Sequence, residues 1–148
     1  MNRGLRIFGH PLHAVLSDFP IALMGTSLLW DGVGLWRGEA LWWAISFWSI
    51  ALGLGLSILA AFAGAFDYAA IAEDHPALGS ALRHMLLMLS ALAPYLISLL
   101  VRGGPLRPAG KSLFVVLALE LFGVLLLSIG GWYGGHLVFH YGVGSDKQ

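Results

Sequence analysis

The sequence predicts an all-α integral membrane protein, a bundle of four transmembrane helices forming one domain over residues 1–148. Three observations predict it. The chain is 58% hydrophobic and only 11% charged, whereas a soluble domain carries roughly 25% charge. Its mean hydropathy is +0.81. Its apolar residues gather into four runs, each about as long as the 20 or so residues that cross a hydrocarbon core, with short Gly-, Pro- and charge-bearing breaks between them.

The first helix is expected over residues 11–36. His10-Pro-Leu-His13 opens it, and proline suits the first helical position. Arg3 and Arg6 ahead of an apolar run imitate a signal peptide. Asp18 and Pro20 interrupt that run, however, and no small-residue cleavage site follows it, so the segment reads as a retained span. Arg37-Gly38-Glu39 makes a tight polar break before the second helix, expected over 41–70. Glu73-Asp74-His75-Pro76 separates this from the third, over 77–101. The stretch from Gly103-Gly104-Pro105 to Pro108-Ala109-Gly110-Lys111 stops one helix and starts the fourth, over 112–139. The sequence displays neither a low-complexity segment nor a strong internal repeat. Gly53 and Gly55 on the second helix, and the interleaved Gly130/Gly134 and Gly131/Gly135 on the fourth, let helices approach closely where lipid supplies no hydrophobic drive. They either pack helices or make room for a flat cofactor. Trp30, Trp36, Trp42, Trp43 and Trp132 fall near helix ends and read as an interfacial belt; Trp48 lies deeper.

Four spans put both termini and the Glu73 loop on one side. Arg3, Arg6 and Lys147 lie there, with Arg37, Arg102, Arg107 and Lys111 on the other. The positive-inside rule then points the termini outward, to the periplasmic face of a bacterial inner membrane. A net charge of zero removes nucleic acid as a partner, and the absence of cysteine removes disulfides, c-type haem attachment and cysteine-ligated clusters. No nucleophile–base–orienter set of a hydrolase is visible. Glu-x-x-His does not occur, which argues against a ferritin-like di-iron site.

The six histidines carry the functional reading, because this topology gathers all of them into one layer near the terminus-bearing surface. His13 and His84 sit on different helices at similar depth. His136 and His140 are four apart on one helix face. His10 and His75 lie at the surface. Imidazole is the commonest metal ligand side chain and titrates near neutrality. A bis-histidine haem b needs two imidazoles on different helices and an apolar slot between them. His84 pairing with His13 or His136 meets that need. Asp18 and Asp67 stand where they can orient an imidazole or pair with Arg83, and His10 and His140 complete the surroundings. Zn or Cu held by His13 and His84 with the neighbouring histidines is the alternative cofactor. Asp31 and Glu120, toward the opposite side, read as a helix-end residue and a bundle hydrogen-bonding residue. With Asp18 they also mark a conceivable proton path.

Several motifs together resemble the DUF2231 family of predicted membrane proteins. His10-Pro-Leu-His13 leads into Phe19-Pro20-Ile21-Ala22-Leu23, with Trp30-Asp31 following. Gly64-Ala-Phe-Asp67-Tyr68 closes the second helix, and Arg83-His84 stands in the third. Gly131-Trp132-Tyr-Gly134-Gly135-His-Leu137-Val138-Phe and Gly142-Val143-Gly144 end the chain. The resemblance implies four helices and, since some members are joined to Rieske-type iron–sulfur domains, a redox setting. His10, His13, Asp67 and His84 match its pattern best. Tyr141 stands where a histidine is expected, and Asp18 where many relatives have one. The leading expectation is a small redox subunit binding haem b, not an enzyme in itself. Its partners would be the bilayer, a membrane redox protein or quinone, and further copies or a larger complex. A cofactor-free accessory subunit and a metal or proton transporter are the alternatives.

Overall fold

In a computed structural model, which describes residues 4–144, four helices make up nearly the whole chain. They are α1 (Leu12–Arg37), α2 (Ala40–Ala69), α3 (Leu78–Arg102) and α4 (Lys111–Phe139), preceded by two short strands, β1 (Arg6–Ile7) and β2 (His10–Pro11). Helix boundaries fall within a residue of those expected, and all four helices are long and apolar enough to cross a membrane. α1 and α3 stop at glycines in the left-handed region, Gly38 at φ 72° and Gly103 at φ 66°. Their N–H groups return to the Gly34 and Leu99 carbonyls, as in an αL C-cap.

The strands were not expected. Arg6–Ile7 pairs antiparallel with His10–Pro11, around a turn whose central residues, Phe8 and Gly9, have φ of 47° and 83°. Positive φ at both positions is what the tightest hairpin turn requires. The Arg6 Nε–H donates to the Gly9 carbonyl at 3.0 Å. Pro11 accordingly sits just outside α1 as its N-cap, with ψ 118°, rather than at the first helical position.

Polarity is arranged from the inside out. Phe62, Leu100 and Phe114 are each about 70% exposed, on faces that meet lipid, whereas Ser27, Ser46, Ser98, Asp31 and Glu120 are fully buried. With lipid as solvent, small side chains and interhelical hydrogen bonds are what make helices prefer one another. Trp43 is buried at 1% exposure and packs on Gly34, so it leaves the belt; Trp36, Trp48 and Trp132 face outward. Arg102, expected in a loop, is a correction too. It ends α3 with its side chain wholly buried, since side chains in the last helical turn reach back toward the N-terminus. Without it, the four-to-three margin behind the expected orientation is gone. Arg3 and Lys147, part of that expectation, lie outside the described residues.

α1 packs chiefly on α2, and α3 on α4; the two helical hairpins meet more sparsely, through α2–α3 and α1–α4. The hairpins are equivalent. His13 matches His84, Ser27 matches Ser98, and Asp31 matches Arg102, each pair 71 positions apart. Gly53, Ala60 and Gly64 on α2 match Gly123, Gly130 and Gly134 on α4, at a spacing one residue shorter. Contacts follow the same rule: Gly53 packs on Met24 and Gly123 on Tyr95, again equivalent positions. The chain is therefore an internal repeat about a pseudo-twofold axis along the bundle. The sequence hid it because Asp31 and Arg102, at equivalent positions, are opposite in charge.

Candidate functional site

His13 lies on the first turn of α1, and His84 on the second turn of α3. They face each other across the pseudo-twofold axis with ring centroids 6.1 Å apart and planes at 78°. His13 Nδ1 is 2.8 Å from the Ala60 carbonyl, and His84 Nδ1 is 2.8 Å from the Gly130 carbonyl. A carbonyl oxygen can only accept, so in each neutral ring the proton is on Nδ1 and Nε2 keeps its lone pair. Two glycines permit this. A Cβ at Gly64 would come within 2.8 Å of the His13 ring, and one at Gly134 within 2.9 Å of the His84 ring.

Both rings line a cavity of about 640 Å³ between the two hairpins. Its walls are mostly apolar, with Met24, Met88 and Leu127 at depth and the glycine face of α4 along one side. Gly4, Arg6 and Pro11 from the N-terminal hairpin, with Val143 and Gly144 from the tail, stand at its mouth. Asp67 lines it as well. Its carboxylate accepts from the Leu5 N–H, and a side chain at Gly4 would collide with it. Asp67 thus ties the hairpin to α2, beside His13. Asp18 also lines the cavity and is exposed.

Of the expected site residues, His13, His84, Asp67 and Asp18 come together. The others do not. His136 lies outside this cavity, stacked between Trp132 (centroids 5.5 Å apart) and His140 (4.6 Å apart), with Tyr141 edge-on to both histidines. Helical geometry explains the separation: Gly130 and Gly134 face α3, and His136 projects to another face of α4. The structure therefore does not bring His136 into the cavity with His84. Arg83 is exposed and lies over the Tyr133 ring at 5.8 Å, and among the described residues it pairs with neither Asp18 nor Asp67. His10 is exposed on β2. His75 accepts from the Ala77 N–H at 3.1 Å, helping to start α3.

One comparison with known proteins is informative. A family model described as "Predicted membrane protein (DUF2231)" matches residues 9–147. The chain belongs to the DUF2231 family. No curated protein and no solved structure matches it. The matched region takes in both DUF2231 hairpins, and with them the histidine pair and every cavity residue except Gly4 and Arg6.

The glycine contacts give this DUF2231 chain a test of its site geometry. Gly64→Ala and Gly134→Ala each push a ring that is itself hydrogen-bonded, an overpacking that costs about 1–3 kcal/mol. Gly55→Ala, where a Cβ meets nothing within 4 Å, is expected to cost nothing. Thermal unfolding in detergent checks the contrast.

At the far end of the bundle is a second cluster. Arg102 Nη2 donates to Asp31 Oδ2, to Glu120 Oε1 at 2.6 Å and to Ser46 Oγ at 3.2 Å. Ser98 Oγ–H donates to the same Glu120 oxygen at 2.9 Å. Sequence reasoning noticed the two acids but missed their partner. The missed signal was an arginine at the equivalent position to Asp31 in the second hairpin.

Proposed function

We propose that this protein is a small membrane electron-transfer subunit that holds haem b between its two helical hairpins, with His13 and His84 as the residues that would bind its iron. The histidine pair carries the reading. Two ring nitrogens each about 2 Å from one metal place the ring centroids about 6 Å apart, and the observed separation is 6.1 Å. The donor set also fits. A bare Zn or Cu ion seeks about four protein ligands, and among the described residues no group of three or more His, Cys, Asp or Glu can hold a metal ion. A haem macrocycle brings its own four nitrogens, so two imidazoles complete the set. A cavity of about 640 Å³ falls within the roughly 300–1,000 Å³ of ligand sites.

When bound, the haem supplies one-electron chemistry. The protein supplies the rest. The Ala60 and Gly130 carbonyls fix both imidazole tautomers and raise their basicity as ligands. Met24, Met88 and Leu127 keep water from the deep wall. Asp67 holds the N-terminal hairpin over the mouth. In the inner membrane, a lipid-soluble quinone or a membrane redox protein is the partner this reading calls for.

The test is a reduced-minus-oxidised visible spectrum of protein purified from haem-replete cells. Sharp Soret and α bands are expected; a folded protein without them would sink the haem assignment. One observation favours a second reading, a cofactor-free accessory subunit: the same Nδ1 hydrogen bonds cross-link α1 to α2 and α3 to α4. A colourless protein that still loses stability on His13→Ala would favour that reading.

A further inference from the structure

The cluster of Asp31, Glu120 and Arg102 does not balance as an arrangement of ordinary ions. All three side chains have no solvent exposure. Asp31 lies six residues, about 9 Å of helical rise, before the end of α1, and Glu120 nine residues after the start of α4, at the end of the bundle opposite the histidines; Arg102, the last residue of α3, reaches back to them. Two carboxylates against one guanidinium leave one excess negative charge. α1 contributes Asp31, α3 contributes Arg102 and Tyr95, and α4 contributes Glu120. From α2 the cluster receives the Ser46 hydroxyl, under the buried Trp43. The next cation, Arg107, is exposed and lies on the outer side of Trp43, 5.9 Å from its ring.

The hydrogen bonds are unbalanced as well. Asp31 Oδ1 is buried without a partner, as are Arg102 Nε and Nη1 and the Tyr95 hydroxyl. Tyr95 is fully buried and near enough to Glu120 to feel its charge. An unpaired charge in such a place costs several kcal/mol, and two carboxyls in one site resist ionising together.

We propose that Asp31 and Glu120 form an intramembrane proton-binding site, in which the two carboxyls share a single proton against the one charge of Arg102. With that proton the cluster is neutral, and no uncompensated charge stays buried. The pair takes up its proton as a unit, so the charge belongs to the dyad rather than to either residue. The site stands apart from the haem reading, since it lies at the other end of the bundle and uses none of the cavity residues.

Infrared spectroscopy of the protein in lipid nanodiscs tests this at neutral pH, through the carbonyl stretch of a protonated carboxyl. Asp31→Asn and Glu120→Gln each leave one carboxylate facing one guanidinium. Wild-type-minus-variant spectra are therefore expected to show the loss of one protonated carboxyl in both cases. Arg102→Gln removes the balancing cation, and a gain of one protonated carboxyl is expected. Either carboxyl variant suffices should the other fail to fold. Spectra in which neither variant loses such a band would overturn the proposal. So would a melting temperature that rises with sodium in the wild type and not in Glu120→Gln, because a metal cation would then be the missing charge. The apo and haem-loaded proteins are expected to behave alike.

Discussion

Replacing His84 with alanine is expected to abolish the bis-histidine haem spectrum, and His13→Ala to do the same. The pair is reciprocal: each ring would supply one nitrogen to the haem, and each is held by a carbonyl of the neighbouring helix 2.8 Å away. A single remaining imidazole would not hold the haem from both sides, so the sharp reduced α band is expected to collapse even if some haem is retained. His136→Ala, His140→Ala and His75→Ala are expected to leave the spectrum intact, since the first two stack outside the cavity and the third starts a helix. Full absorbance in His84→Ala would remove the assignment. Loss in His136→Ala would mean that the wrong histidine had been chosen.

The second large effect is on stability. Arg102→Ala strands two buried carboxyl groups, and breaking a buried ion pair from one side costs about 3–5 kcal/mol. A lower melting temperature in detergent is the readout. Replacing all three members by neutral side chains of similar size, Asp31→Asn, Arg102→Met and Glu120→Gln, is expected to recover most of the loss. Truncating a buried pair leaves an uncompensated charge, whereas removing the whole set does not. Recovery by the triple variant separates an electrostatic cause from a packing one.

The four spans were legible because length and hydropathy decide them in lipid, with little competition from tertiary packing. His13 and His84 were legible because ionisable groups inside a span face the interior or water. What the sequence concealed depended on direction rather than depth. His136 lies in the same layer as His84, yet two residues of helix beyond Gly134 turn it to another face. Arg102 lies at a helix end, where a cation ordinarily belongs to a loop, and only the backward lean of its side chain takes it inside. The β1–β2 hairpin rests on Phe8 at positive φ, a conformation with no strong signal in a bulky residue. The repeat escaped notice because Asp31 and Arg102 are opposite in charge at equivalent positions.

That opposition governs which halves can assemble. In a dimer of two first hairpins, Asp31 would meet another Asp31 across the axis. Two second hairpins would bring Arg102 against Arg102, with a Glu120 from each. Pairing with a second half is what gives the first half's Asp31 a guanidinium, whereas two second halves would each keep Arg102 against their own Glu120, so the scaffold carries an instruction against self-pairing of first halves. The first half can therefore tell its complementary half from a copy of itself while the helices sort in the membrane.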